Sequence, residues 1–202
     1  VPNGVLVPEG VDPEGREHRI LFAGRQEPRK GLQVLLRAWP EIHRRTGARL
    51  RVAGADPLAV RLLLTRLRVP DAEIDVLGFL SQDELTAEMA SAKALVAPSL
   101  GGESFGMVLT RAFACATPVV ASDIPGYRDV MTPETSVAVP PGDPGALADA
   151  VEALLADEPR RAALGAAARE LALRRYSWPD IAHRLVAIYE DARGTAAARA
   201  AP

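Results

Sequence analysis

The sequence predicts an α/β fold in which a doubly wound, six-stranded parallel sheet carries helices on both faces and further helices follow the sheet. Short apolar runs alternate with longer stretches of helical period, which is the pattern of a parallel sheet covered by helices. The chain has 202 residues, and its 48% hydrophobic content is enough to form one large core. After Val139 no strand pattern occurs, so the rest of the chain is predicted to be helical.

Six short apolar runs predict the strands. In chain order they are Ile20–Ala23, Leu50–Ala53, Ile74–Leu77, Leu95–Ala97, Pro118–Ala121 and Val137–Val139. Helices are predicted between them at Leu32–Arg44, Leu58–Leu67, Asp83–Ala90, Phe105–Cys115 and Gly126–Met131. Leucines three or four residues apart support several of these helices.

Both ends of the chain differ from this alternating pattern. Three signals, Asp143-Pro144, Glu158-Pro159 and Ser177-Trp178-Pro179, place proline where a first helical turn tolerates it, so we expect three closing helices. Residues 193–202 have no core-forming pattern and are predicted to be a frayed tail. Residues 1–18 are rich in proline, glycine and charge and predict an irregular connector, which leaves 19–192 as the folded domain.

The charge balance argues against a nucleic-acid partner. Lys and Arg number 24 and Asp and Glu number 26, so no sequence-wide basic field exists to attract a polyanion. No apolar run approaches the ~20 residues that span a bilayer, and we expect a soluble, cytoplasmic chain. The single Cys115 lies in an apolar setting and is expected to be a buried, inert thiol, while three dispersed histidines predict no metal site.

The loop after the first predicted strand is cationic. In an open parallel sheet, ligands bind beyond the carboxyl ends of the strands, where this loop lies. Gly24 permits a close turn there, and Arg25, Arg29 and Lys30 leave a local charge of +2 once Glu27 is counted. A solvated charged loop is the alternative to an anion site, but the position at a strand end favours the anion site.

A second loop, with the sequence GGESFG, joins the fourth predicted strand to a helix. Ser104 is predicted to be the N-cap of a helix that begins near Phe105, and the free amides of that helix favour an anion. Glu103 either complements the helix dipole or accepts hydrogen bonds from hydroxyls beside a bound phosphate. A sugar joined to a diphosphate presents both groups, and the cationic loop would dominate its affinity. Neither G-x-G-x-x-G after a strand nor G-x-x-x-x-G-K-[ST] occurs, so a usual dinucleotide fold and a P-loop kinase are not favoured.

The glycines and cations Gly24-Arg25 and Lys30-Gly31, followed by six motifs in order, resemble the C-terminal domain of retaining GT-B glycosyltransferases. The six motifs are LRVAGADP, VLGFLSQDELTAEMASAKALVAPS, GGESFG, ATPVVASDIPGYRDVM, VPPGDPGALADAVEALL and YSW. The likeness covers nearly all of the chain and is strongest for bacterial mannosyltransferases of the phosphatidylinositol mannosyltransferase kind. It implies a Rossmann-like, donor-binding half of a GT-B fold. The activity implied is transfer, with retention, of a mannose-like or other hexose from a nucleotide diphosphate sugar to an acceptor hydroxyl.

The resemblance also assigns roles to single positions. Arg25 and Lys30 match the pair that neutralises the donor diphosphate and stabilises it as a leaving group without a metal, and Glu103 matches a carboxylate that contacts the sugar hydroxyls. The other matched positions are expected to contact the donor: Gly24, Leu77, Gly78, Ser104, Phe105, Gly106, Met107, Val108 and Arg111. No cofactor is implied beyond the donor itself, GDP-mannose or a UDP-sugar.

Arg111 is a departure from the family pattern. It stands eight positions after Glu103, where the family has a second glutamate that accepts hydrogen bonds from ribose hydroxyls. An arginine is donor-only, so it would donate to ribose oxygens, reach a phosphate or pair with Glu103. Alternatively, the chain is a non-catalytic relative that serves as a binding or interaction module.

The resemblance covers one half of such an enzyme. In this family the acceptor site lies on an N-terminal domain, and nothing in the sequence resembles it. We therefore expect the chain alone to bind the donor weakly and to transfer nothing. Any membrane contact would belong to the other half.

Overall fold

The computed structural model describes the backbone of residues 2–71 and 73–200 and the side chains of that part up to residue 193. It contains a sheet of six strands, and all six predicted strands are confirmed with small shifts at their ends. The strands are β1 (Glu17–Ala23), β2 (Arg49–Ala53), β3 (Ile74–Gly78), β4 (Ala92–Ala97), β5 (Val119–Ser122) and β6 (Ser136–Val139). Because β1 starts at Glu17, the last two residues of the predicted connector belong to the sheet.

The sheet is parallel throughout and doubly wound. Its strand order is β3-β2-β1-β4-β5-β6, so the direction of winding reverses between β1 and β4. Loops on the two sides of such a switch point diverge and leave a crevice at the carboxyl ends of the strands. This topology fixes where a ligand can enter.

Helices cover both faces of the sheet. The α-helices are α1 (Leu32–Thr46), α2 (Pro57–Leu67), α3 (Gln82–Ser91), α4 (Met107–Ala114), α5 (Pro144–Ala156), α6 (Glu158–Leu171) and α7 (Trp178–Ala200). The last three of these are the predicted closing helices, which are confirmed. One core packs α1, α2 and α5 on one face, around the fully buried Trp39 and Leu35. The other core packs α3 and α4 on the opposite face, with Phe113 and Tyr176 at its centre.

Two local predictions are wrong. Residues 126–131 form successive turns rather than a helix, with Tyr127 and Arg128 both bonded back to the Ile124 carbonyl. Helix α4 begins at Met107, and its N-cap is Gly106 with φ 73°, so Ser104 does not cap it. Helix α7 extends to Ala200 through an alanine-rich stretch that favours helix, and residues 201 and 202 of the predicted tail lie outside the described part.

The segment before β1 is fastened to α6, to the turn that follows α6, and to the ends of α3 and α4. The Val5 amide donates to the Tyr176 carbonyl at 2.7 Å, and Arg169 Nη2 donates to the Pro8 carbonyl at 2.7 Å. Arg16 donates six hydrogen bonds to the ends of α3 and α4 and to the starts of the neighbouring strands. The predicted connector is therefore irregular but anchored. Within the described residues, no helix combines the length and apolarity that crossing a bilayer requires.

Candidate functional site

A cleft of about 310 Å³ opens at the carboxyl edge of the sheet, beside the switch point. The ends of β1 and β2 form its floor, the loop after β3 and helix α3 form one wall, and helix α4 forms another. Its lining residues are Ala23, Gly24, Arg25, Lys30, Ala53, Gly54, Phe79, Leu80, Leu85, Met89, Met107, Val108 and Arg111. The cationic loop and α4, which the sequence predicted to cooperate, thus meet in one cavity.

The cationic loop carries its charges on a short 3₁₀ turn, Pro28–Lys30, which ends at Gly31 in the left-handed conformation. Lys30 Nζ lies 2.7 Å from Glu103 Oε1, and both side chains are largely buried. Arg25 is 72% exposed and pairs with Glu27 at 3.0 Å. Both predicted diphosphate ligands therefore line the cleft, and each is paired with a different carboxylate of the same chain.

Glu103 lies beneath the cleft at the centre of a polar network. Its Oε1 accepts hydrogen bonds from Lys30 at 2.7 Å, from Arg29 at 3.2 Å and from the Ser99 hydroxyl at 3.1 Å. The Tyr127 hydroxyl lies 2.9 Å from the Ser99 hydroxyl. Burial raises the pKa of Tyr127 to about 12; the Ser99 hydrogen bond opposes this rise, and the charge of Glu103 adds to it. The carboxylate is therefore fixed in place by the fold, beyond any interaction with the dipole of α4.

Helix α4 presents Met107, Val108 and Arg111 to the cleft. The residues just before it point elsewhere: Ser104 is exposed, and the Phe105 ring packs edge-on against the buried Tyr176 with centroids 5.6 Å apart. Within the described residues, the Arg111 side chain has no hydrogen bond or ion pair, and the acids nearest to the loop are held by other cations. Arg111 therefore does not pair with Glu103, which removes one of the three roles considered for it.

The remaining wall of the cleft is apolar. It is formed by Phe79 and Leu80 after β3 and by Leu85 and Met89 of α3, with the Phe79 side chain 77% exposed. The resemblance implies a contact with the nucleotide base at the strand end Leu77-Gly78-Phe79, and of these three residues Phe79 lines the cleft. Leu77 instead packs against the core, and the Gly78 carbonyl accepts a hydrogen bond from the Gly54 amide at 2.7 Å.

The sequence predicted the cations and the carboxylate of this site but not all the residues that hold them in place. Arg29 was counted as loop charge but not as a partner of Glu103, and Ser99 and Tyr127 were not singled out. Ser99 stands next to the GGESFG loop, so its proximity was visible in the sequence. Tyr127 comes from a turn after β5 that only the fold places beside Glu103.

The donor set of the site suits an anion and does not suit a metal ion. Its charged lining residues are Arg25, Lys30 and Arg111, and its apolar wall suits a flat, apolar group. Within the described residues, no cluster of three or more His, Cys, Asp or Glu side chains is arranged to hold a metal ion. The cleft thus offers a cationic region for phosphates beside an apolar region for a ring.

Comparison with known proteins assigns the class. The family described as glycosyl transferases group 1 matches residues 17–157, which is more than half of the chain, so this chain belongs to that family. The phosphatidyl-myo-inositol mannosyltransferase of Mycobacterium leprae (strain TN) is 39% identical over 200 residues, which cover 94% of this chain and 52% of that protein. The chain therefore spans about half the length of the curated relatives that it matches.

Solved structures confirm the fold as a GT-B glycosyltransferase domain. Anabaena Alr3699/HepE, in complex with UDP and glucose, superposes with a TM-score of 0.76 at 20% identity, over 88% of this chain and 49% of that one. The C-terminal domain of a glycosyl transferase group 1 family protein (LpcC) from Francisella tularensis superposes with a TM-score of 0.72 at 19% identity. The match covers 86% of this chain and 96% of that domain. The Rossmann-like architecture predicted from the sequence is confirmed.

Proposed function

We propose that this chain is the donor-binding half of a retaining glycosyltransferase that moves a mannose-like hexose from a nucleotide diphosphate sugar to an acceptor hydroxyl. The observation that carries the proposal is the meeting of Arg25, Lys30 and Arg111 with an apolar wall in one cleft at the carboxyl edge of the sheet. Alr3699/HepE, which shares the fold, was solved with UDP and glucose, and this supports a nucleotide-sugar ligand.

In the proposed reaction, the bond between the anomeric carbon and the β-phosphate oxygen breaks, and its electron pair stays on the diphosphate. Arg25 and Lys30 face the place where that negative charge develops, and fixed cations there stabilise the leaving group without a metal. The acceptor oxygen then bonds to the anomeric carbon on the face from which the diphosphate left. The acceptor hydroxyl proton passes to the oxygen of the departing diphosphate, which has just gained the electron pair of the broken bond.

Glu103 has a supporting role in this proposal. Its Oε1 orients Lys30 and Arg29, while its Oε2 has no hydrogen bond within the described part of the chain. The free oxygen is an acceptor for a sugar hydroxyl. One carboxylate would thereby couple the position of the sugar to the position of the diphosphate-binding lysine.

Isothermal titration calorimetry with GDP, UDP, GDP-mannose and UDP-glucose tests the proposal. We expect binding by the wild-type chain and at least a tenfold loss with Lys30→Gln or Arg25→Gln, since a charge-assisted hydrogen bond contributes about 1.5 to 3 kcal/mol. Arg61→Gln is the matched control because Arg61 is exposed on α2, outside the cleft lining. Absence of binding at millimolar ligand would contradict the proposal and favour an interaction module.

The half-length match leads to a second expectation. Because the chain spans about half of its relatives, we propose that it binds the donor but lacks the acceptor site and transfers no sugar by itself. A radiolabelled donor with candidate acceptor alcohols measures this directly. Transfer to any of these alcohols by the 202-residue chain alone would contradict it.

A further inference from the structure

We propose that Arg111 is a third phosphate-binding residue of the cleft, so that the site recognises the diphosphate from helix α4 as well as from the loop after β1. The inference rests on the proposed function and names a contact that the resemblance does not supply, since the family has a glutamate at this position. It assigns to Arg111 one of the roles that the sequence left open.

The first step is the bonding state of the cations around the cleft. Arg25 is paired with Glu27, and Lys30 is paired with Glu103. Arg29 bridges the same two carboxylates at 2.7 and 3.2 Å. Within the described residues, Arg111 alone among these cations keeps all its guanidinium donors free, although it lines the same cavity.

The second step is charge. The loop's three cations and the two carboxylates that they contact leave one net positive charge. A nucleoside diphosphate sugar carries two negative charges at neutral pH, so the loop alone does not balance it. Arg111 supplies the second positive charge on the facing wall. Cations that face an anionic ligand from two sides raise both the affinity for the ligand and its rate of association.

The third step is donor chemistry. An arginine has five N–H donors and no acceptor, so it cannot receive the ribose hydroxyl protons that a glutamate would receive. Its planar fork matches two oxygens of one phosphate, and this bidentate pairing is the strongest use of a free guanidinium. Phosphate oxygens are therefore the partner that the unpaired Arg111 fits best.

A ligand series separates a phosphate contact from a contact to the base or ribose. Affinities of wild type and Arg111→Gln are measured by calorimetry for uridine, UMP and UDP, and for guanosine, GMP and GDP. We expect Arg111→Gln to weaken binding of the diphosphate about tenfold and to leave the nucleoside unchanged within twofold. Arg111→Lys should recover part of the loss, because an ammonium still donates to phosphate. Arg111→Glu should lose more than Arg111→Gln.

Two results would overturn the inference. One is an equal loss for nucleoside and diphosphate, which would place Arg111 on the base or ribose; the other is a gain in diphosphate affinity with Arg111→Glu, which would mean that the arginine obstructs the site. If wild type binds UDP or GDP and Lys30→Gln abolishes binding while Arg111→Gln matches wild type, this inference fails and the proposed function stands. If wild type binds no diphosphate, the proposed function fails and this inference fails with it.

Discussion

Two arginines at opposite edges of the sheet illustrate how this fold uses the same side chain in two ways. At the amino edge, Arg16 donates to the carbonyls of Met89, Ala90, Ala92, Cys115 and Ala116 and to the Thr117 hydroxyl, at 2.8 to 3.3 Å. At the carboxyl edge, Arg111 lines an open cleft and bonds to nothing within the described residues.

The difference separates a cation whose donors are used within the fold from a cation whose donors stay free beside a cavity. Carbonyls at a helix C-terminus lack intrahelical partners, and Arg16 satisfies those of α3 and α4 together. Burial lowers the pKa of Arg16, and this shift is partly offset by Cys115 and Asp12. Donors consumed inside the fold stabilise it, whereas donors left free beside a cavity are available for a ligand.

Removing the amino-edge arginine should have the largest effect. We expect Arg16→Ala to lower the free energy of unfolding by about 3 to 4 kcal/mol, because several part-buried carbonyls lose a charged donor at once. Urea denaturation at neutral pH measures the change. Arg16→Lys should recover only part, since an ammonium has three donors for acceptors on two helices. Arg61→Ala removes an exposed arginine and should change stability by less than about 0.5 kcal/mol; an equal loss for both variants would contradict this account.

Two glycines with left-handed backbone conformation, one near each edge of the sheet, allow the stability of the two edges to be compared. Gly31, at the end of the cationic turn, has φ +72°, and a Cβ there would lie 1.8 Å from the Pro98 carbonyl oxygen. Gly47, at the end of α1, has φ +66° with nothing within 4 Å of a Cβ. Left-handed strain alone costs about 1 to 2 kcal/mol, so we expect Gly47→Ala to destabilise by about 1 and Gly31→Ala by about 3 kcal/mol.

Urea denaturation of both glycine variants measures these losses. Calorimetry with UDP or GDP measures nucleotide affinity, which we expect only Gly31→Ala to lower, because the turn that ends at Gly31 holds Lys30. Equal losses of stability in the two variants would show that the contact with Pro98 relaxes without cost.

The sequence predicted the architecture well because its signals are local and repeated. Five of the six apolar runs end directly before a glycine or a proline, the run Pro118–Ala121 ends before Ser122, and the proline signals mark the closing helices. The predicted helix at 126–131 failed because its few apolar residues, Tyr127, Val130 and Met131, pack inward from turns that fold back on Ile124 and Tyr127. Periodicity over six residues does not distinguish these two outcomes.

The site was predicted less completely because its contacts join segments that are distant in the chain. The bond between Lys30 and Glu103 spans 73 residues, and neither residue type by itself indicates the other. Of the stretch Leu77-Gly78-Phe79, Phe79 lines the apolar wall together with Leu80, because β3 continues through Gly78 before the chain leaves the sheet. Strand ends therefore set the position of a site residue, and sequence patterns fix them only within about two to four residues.

The two edges should also differ in their response to alkali. Burial raises the pKa of Cys115, at the amino edge, from 9.0 to about 11, and that of Tyr127, beside Glu103, from 10.0 to about 12. Both shifts favour the neutral form in the folded state, so their stabilisation is complete below the unfolded pKa and is lost as pH rises through the folded pKa. We expect the free energy of unfolding to fall by about 2 kcal/mol for each group.

Urea denaturation at pH 8, 10 and 12 separates these contributions. Cys115→Ala should flatten the decline between about pH 9 and 11, and Tyr127→Phe the decline between about pH 10 and 12. A wild-type decline that neither variant changes would mean that other groups govern alkaline unfolding.

The smallest expected effect concerns the carboxylate that partly neutralises the carboxyl edge. Glu103→Gln releases Lys30 and Arg29 from their shared anion, so we expect affinity for UDP or GDP to rise about threefold to tenfold, equivalent to about 0.7 to 1.4 kcal/mol. Glu27→Gln is the matched control, because it frees Arg25 and Arg29 without touching the oxygen proposed to hold the sugar. Only Glu103→Gln should lower the ratio of affinity for the nucleotide sugar over the free diphosphate. If that ratio stays constant in both variants, Glu103 orients cations and does not recognise the sugar.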